Sequence, residues 1–138
     1  FDMTLLATGS RPVIPRFAAE LPNMTTAEHI LLEAIKPGHR VLIIGGGMIG
    51  CELADFLGER GHAVTILEMR PEVAQDMEWR ARHTLMPRLE HYGVTLLTGM
   101  EIMETANTGR IRIRDAYGVE EWLEPFDTTA ISVAMRAT

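Results

Sequence analysis

The sequence predicts an α/β fold of three layers, built on a parallel sheet with helices and carrying an inserted antiparallel β-meander. Three observations predict it. Residues 41–44 read Val-Leu-Ile-Ile, a run that is apolar on both faces, as a central parallel strand must be. Residues 48–60 then place Ile49, Leu53, Phe56 and Leu57 on one helical face. Beyond residue 100 the period falls to two, with Ile111 and Ile113 alternating with Arg110, Arg112 and Arg114.

The elements follow in order. Residues 2–8 are short, mostly apolar and closed by Gly9, which predicts a buried strand. Residues 11–22 contain Pro12, Pro15 and Pro22 and predict an extended linker. Thr25 and Glu28 have the spacing of a capping box, so a short helix is expected over 26–35, stopped by Pro37-Gly38. The strand at 40–44 and the helix at 48–60 come next, with Gly61 at the C′ position. Residues 63–67 make a second strand ending at Glu68. Asp76 is placed to cap a helix to residue 92, kinked where Pro87 removes the bond to the His83 carbonyl. Residues 94–97 give a third strand. The meander spans 101–124, with turns at Asn107-Thr108-Gly109 and Tyr117-Gly118. There Glu120, Glu121 and Glu124 are set to pair with the three arginines. Residues 128–133 form the last strand. Strand, helix, strand, helix, strand is a βαβαβ nucleotide-binding half, so the class is Rossmann-like.

Composition narrows the function. A chain of 138 residues, 46 % hydrophobic and 23 % charged, fits one domain that needs no metal or disulfide for a core. A net charge of −6 without a basic patch argues against nucleic acid. No apolar run reaches the roughly 20 residues of a membrane span. Cys51 is the single cysteine and forms no internal disulfide, so the cytoplasm is the default expectation. The five histidines lack metal-site spacing. The chain starts at Phe1 rather than Met, so a piece of a longer protein is expected.

The chemistry sits in Gly45-Gly46-Gly47-Met48-Ile49-Gly50, which contains G-x-G-x-x-G at Gly45, Gly47 and Gly50. Gly45 permits the tight turn out of the strand, Gly47 lets a pyrophosphate approach the backbone, and Gly50 lets the helix pack close to the strand. The helix start offers unpaired N–H groups and a positive dipole end to phosphates. Glu68, 18 residues after Gly50 and at the end of the next strand, suits the adenosine ribose hydroxyls and repels a 2′-phosphate, favouring NAD over NADP. Arg70 is either a solvated loop arginine or a ligand for that 2′-phosphate. Cys51 reads as a small packing residue.

Residues 39–99 resemble the NAD(P)-binding domain of FAD-dependent pyridine nucleotide oxidoreductases. The likeness is nearest to the NADH:flavin oxidoreductase/2,4-dienoyl-CoA reductase group related to Old Yellow Enzyme. Three stretches carry it: Gly-Gly-Gly-Met-Ile-Gly-Cys-Glu-Leu-Ala at 45–54, Val-Thr-Ile-Leu-Glu-Met at 64–69, and Asp76-Met77 followed by a helix ending Leu-Glu-His-Tyr-Gly-Val at 89–94. The resemblance implies a cofactor site of Gly45, Gly47, Met48, Ile49, Gly50, Glu52, Glu68, Met69 and Arg70, with Glu52 either near the nicotinamide carboxamide or an exposed first-turn acid favoured by the helix dipole. It implies NAD(H) here, FAD in the adjoining domain of the same parent chain, and FMN and an iron–sulfur cluster in an upstream barrel. It also implies boundaries: 1–9 leaving the flavin domain, 10–38 linker and short helix, 39–134 the NAD(H) domain, and 135–138 returning. The family's return motif Gly-x-Arg-Pro reads Ala134-Met135-Arg136-Ala137 here. The expected role is to present NADH to the flavin, and the chain by itself is expected to lack turnover. The alternatives are the NAD domain of a disulfide reductase or NADH oxidase, and an FAD-binding or non-catalytic dinucleotide-sensing module.

Overall fold

A computed structural model describes residues 2–137; the expectations for Phe1 and Thr138 lie outside these. Its centre is a five-stranded parallel sheet in the order β2-β9-β3-β4-β5, where β2 is Met24–Thr26, β3 Arg40–Ile44, β4 Ala63–Leu67, β5 Thr95–Leu97 and β9 Thr128–Ile131. From Val41 to Ile44 the side chains of β3 alternate between two cores, which is why that run is apolar throughout. Val41 and Ile43 pack with Cys51, Leu53 and Leu57 of α2 (Met48–Glu59) and with Leu85 and Leu89 of α3 (Trp79–His91). Leu42 and Ile44 pack with Ile111 and Ile113 of β7 (Ile111–Arg114) on the other face. Each such side chain contributes roughly 1.5–3 kcal/mol on burial. The three layers are therefore helices, parallel sheet and meander.

The meander is β6 (Glu101–Thr105), β7 and β8 (Glu120–Leu123), antiparallel, with a register shift between Ile102 and Glu104. Its outer face is a charge ladder. Arg110 pairs with Glu124 at 3.3 Å, Arg112 with Glu120 and with Glu104 (2.6 and 3.1 Å), and Arg114 with Glu101 at 2.8 Å. Glu121, opposite the core-facing Ile113, takes no part in the ladder.

Several local expectations are corrected. Residues 2–9 form no strand; Met3, Leu5 and Leu6 are 83 %, 84 % and 83 % exposed. A strand buried on both faces needs elements packed over it, and Met3, Leu5 and Leu6 are left uncovered among the described residues. The proline-rich stretch is not simply extended. β1 (Ser10–Pro12) pairs antiparallel with β10 (Met135–Ala137), and a 3-10 turn at Arg16–Glu20 buries Ala18 beneath the meander. Helix α1 covers only Ala27–Leu31, because β2 takes Thr25 into the sheet and Thr26 becomes the cap, accepting from His29 N at 3.4 Å. Glu33 at φ 57° ends the turn. Helix α3 starts at Trp79, not at 77, and is capped by Glu78, whose carboxylate accepts from the N–H groups of Arg80 and Ala81. Asp76 is used elsewhere, as described below.

Candidate functional site

The site lies across the C-terminal ends of β9, β3 and β4, at the point where chain order reverses. Strands β4 and β5 extend the sheet to one side of β3, while β9 and β2 lie on the other. Open α/β sheets bind ligands in such a crevice. Here it is a cleft of about 580 Å³.

The glycine turn is fixed from three sides. Gly45 donates to the Leu67 carbonyl at 2.9 Å with φ 109°, and a Cβ there would overlap the Ser132 carbonyl at the end of β9. The turn is thus tight because a second strand abuts it. Gly50 carries α2 onto the strand: a Cβ would overlap the Gly45 carbonyl oxygen and sit 3.4 Å from Ile43 Cγ2. Gly46, a variable position of the motif, is equally constrained, since a Cβ would lie 2.7 Å from Val73 Cγ1 and 3.1 Å from Glu68 Cβ. Gly47 differs. The atoms nearest to a Cβ on it would be those of the Asp76 carboxylate, from 3.1 Å, and the glycine borders the cleft.

Glu68 follows β4 directly. Its Oε1 accepts from Gly46 N at 3.2 Å and its Oε2 from Arg70 N at 2.9 Å. The carboxylate is half-buried and tied to the glycine turn, and each oxygen keeps a lone pair for an incoming hydroxyl. Met48, Met69 and Arg70 are exposed and line the same cleft; Ile49 is half-buried and lines it too. Two residues of the expected set stand apart from the wall. Gly50 is buried behind it, and Glu52 is exposed on α2, outside the cleft lining.

Sequence reasoning missed three features. Asp76 accepts from Met48 N at 2.8 Å, capping α2 from 28 residues away. Its neighbours are drawn in the same way: Ala74, at φ 57°, donates to the Gly46 carbonyl at 2.6 Å. Glu28, in the first turn of α1, lines the cleft. Residues 132–135, running from β9 to β10, line it too. No local pattern announces these contacts, because each joins segments far apart in sequence.

Cys51 is buried, and its Sγ donates to the Gly46 carbonyl at 3.4 Å. Burial pushes its thiol up to about 11, so it stays protonated at neutral pH. Among the described residues no group of three or more His, Cys, Asp or Glu is placed to hold a metal, and no helix is long and apolar enough to cross a membrane.

Fold and cleft together define a dinucleotide-binding α/β domain: a glycine turn at a helix start, beside an acid at the end of the next strand, at a sheet's switch point. The sequence matches the family described as pyridine nucleotide-disulphide oxidoreductase over residues 1–135, and the chain belongs to it. It is 38 % identical over 113 residues to an NADH oxidase of Thermoanaerobacter brockii, covering 78 % of this chain and 17 % of that protein. It is 32 % identical over 134 residues to a glutathione reductase of Burkholderia cepacia, covering 97 % of this chain and 28 % of the relative. A solved 2-naphthoyl-CoA reductase in complex with 2-naphthoyl-CoA superposes with a TM-score of 0.84 at 25 % identity, over 94 % of this chain and 19 % of that one. The chain therefore spans less than a third of the length of these relatives.

Proposed function

We propose that this chain is the NAD(H)-binding domain of a flavin-dependent oxidoreductase and presents NADH for hydride transfer to FAD held by the rest of the parent protein. One observation carries the reading: the Glu68 carboxylate is locked to the glycine turn by Gly46 N, beside the start of α2, where Met48 and Ile49 line the cleft. The adenosine ribose belongs at Glu68. The pyrophosphate belongs at Gly47, Met48 and Ile49, where a missing Cβ and the helix dipole both favour it. Gly45 and Gly50 hold the turn in shape from behind. Met48 and Met69 give apolar cover over the cleft, and Arg70 lies at the ribose end. When bound, the dinucleotide supplies the hydride; the chain's own part is to bind, orient and shield it.

The narrower placement, in the NADH:flavin oxidoreductase/2,4-dienoyl-CoA reductase group, is supported by the motif stretches at 45–54, 64–69 and 76–94. It agrees with the similarity to an NADH oxidase and to the 2-naphthoyl-CoA reductase fold. In that placement FMN and an iron–sulfur cluster belong to an upstream barrel, residues 1–9 and 135–138 are the crossings to the flavin domain, and the chain alone turns nothing over. The single unpaired Cys51 suits a reducing compartment such as the cytoplasm. The similarity to glutathione reductase keeps a second reading, the NAD domain of a disulfide reductase.

The test is calorimetric titration of the chain with NADH and NADPH. NADH should bind at least about tenfold tighter, because Glu68 faces the 2′ position and repels a phosphate there. Tighter NADPH would transfer the ribose end to Arg70 and reverse the preference. Saturable binding of neither would refute the reading.

A further inference from the structure

A second groove, of about 570 Å³, runs between α3 and β5 and shares no lining residue with the nucleotide cleft. Among the described residues β5 has one neighbour in the sheet, β4, so its outer edge carries unpaired backbone groups, a template for another strand. Beside that edge α3 presents a stripe at helical spacing: Trp79, His83, Met86 with Pro87, and Glu90. Trp79 is 67 % exposed, and Leu96 of β5 is 38 % exposed. Apolar surface gathered in this way and rimmed by polar groups marks an interaction site.

The stripe is complementary to itself. Turned end for end about its midpoint at Met86 and Pro87, it sets Glu90 opposite His83, with Arg82 alongside, and Trp79 opposite the Val94 end of the groove. Among the described residues the Glu90 carboxylate has no salt-bridge partner. Arg82 reaches the Val73 carbonyl and Glu72, at 3.4 and 3.5 Å, and a guanidinium has five N–H donors to share among acceptors. The strand agrees with the helix. Met86 lies seven residues before Gly93 on a helix rising about 1.5 Å per residue, and Leu96 three residues after it on a strand rising about 3.3 Å. Both therefore stand about 10 Å from that turn, so one two-fold axis at this level relates α3 to α3 and β5 to β5, each pair antiparallel. We propose that a second copy of this chain docks in the groove about that axis. The two β5 edges lie side by side, Trp79 of each copy enters the groove of the other, and Glu90 of each faces His83 and Arg82 of the other. Such a contact is isologous and closes at two copies.

Sedimentation equilibrium of the full chain is the test. The wild type should pass from its 15.4 kDa monomer to twice that mass, and no further, as concentration rises. Trp79→Ala, a change at an exposed side chain, should weaken association by about tenfold or more. The diagnostic pair is Glu90→Arg and His83→Glu. Each alone sets like charges against one another at both ends of the contact and should stay monomeric where the wild type dimerises. Mixed in equal amounts they should dimerise, because one end then joins the new guanidinium to the new carboxylate and the other end is native. Recovery on mixing also requires both variants to be folded. A wild type that stays monomeric up to about 1 mM overturns the proposal and leaves the groove to some other occupant. A mass that grows beyond two copies overturns it as well, since that needs an open contact. So does a Trp79→Ala chain that associates as tightly as wild type, which would put the contact on another surface. Two charge variants that each dimerise like the wild type, or that fail to dimerise when mixed, refute the two-fold pairing.

Discussion

Replacing Asp76 by Asn should tighten NADH binding while costing the fold little. Asp76 accepts from Met48 N at 2.8 Å, and its other oxygen sits 3.1 Å from where a Gly47 Cβ would be. The carboxylate thus borders the backbone that the proposed pyrophosphate would use. Two unit charges about 4 Å apart interact by about 1 kcal/mol in a water-like dielectric and about 4 kcal/mol at an effective dielectric of 20. Asp76 is exposed, so the lower figure applies. Removing about 1 kcal/mol of repulsion tightens binding about fivefold. Asn keeps the side-chain oxygen that caps α2 and loses only the charge at the positive helix end, which costs about 0.3–1 kcal/mol of stability. Titration at two salt concentrations, with a thermal melt of each form, is the assay. The gain should shrink towards about 1 M salt, where the screening length is about 3 Å. An affinity for Asp76→Asn equal to or weaker than wild type at low salt would refute the argument and make the carboxylate a partner of the bound phosphates rather than a rival.

Two further outcomes follow from the same geometry. Cys51 should resist a thiol reagent at pH 8 in the native chain and react on unfolding, because burial holds it protonated with its pKa raised from about 9 to about 11. Between those values the unfolded thiol loses its proton while the folded one keeps it, so this group lowers stability as pH rises from about 9 to about 11 and leaves it unchanged below; denaturant unfolding against pH checks this. Gly50→Ala should destabilise by about 1–3 kcal/mol through overpacking and also lose dinucleotide binding, since the new Cβ would overlap the Gly45 carbonyl oxygen. A melting temperature equal to wild type would contradict that contact.

What was legible in the sequence was what local chemistry decides. β3 and β4 fall where expected because a strand covered on both faces is apolar over most of its length, as at 41–44 and at Val64, Ile66 and Leu67, and α2 because one stripe of a helix must be. The meander was legible from its period of two and its turn glycines. The glycine turn and Glu68 meet as their spacing requires. The remainder depends on distant partners. β2 has three residues and exists because β9, more than a hundred positions later, lies beside it. β1 and β10 are equally short and equally dependent on one another. Residues 2–8 are apolar enough for a buried strand, yet composition does not supply the elements that would cover Met3, Leu5 and Leu6. Asp76 has the residue type and position of a helix cap, but it caps α2 instead of the helix that follows it.

The join between Gly45 and Ser132 has a mechanical consequence. Ser132 N donates to the Ile44 carbonyl at 2.8 Å, and two residues later the Ala134 carbonyl accepts from Val13 N at 3.0 Å, in line with the β1–β10 ribbon. The ribbon is a short beam, and the glycine turn rests against its inner end with no side chain between them as a cushion. Any torque on the ribbon reaches the turn through two residues of backbone, like a hand on the short arm of a crank. Bending of the ribbon and the shape of the glycine turn therefore share one fulcrum.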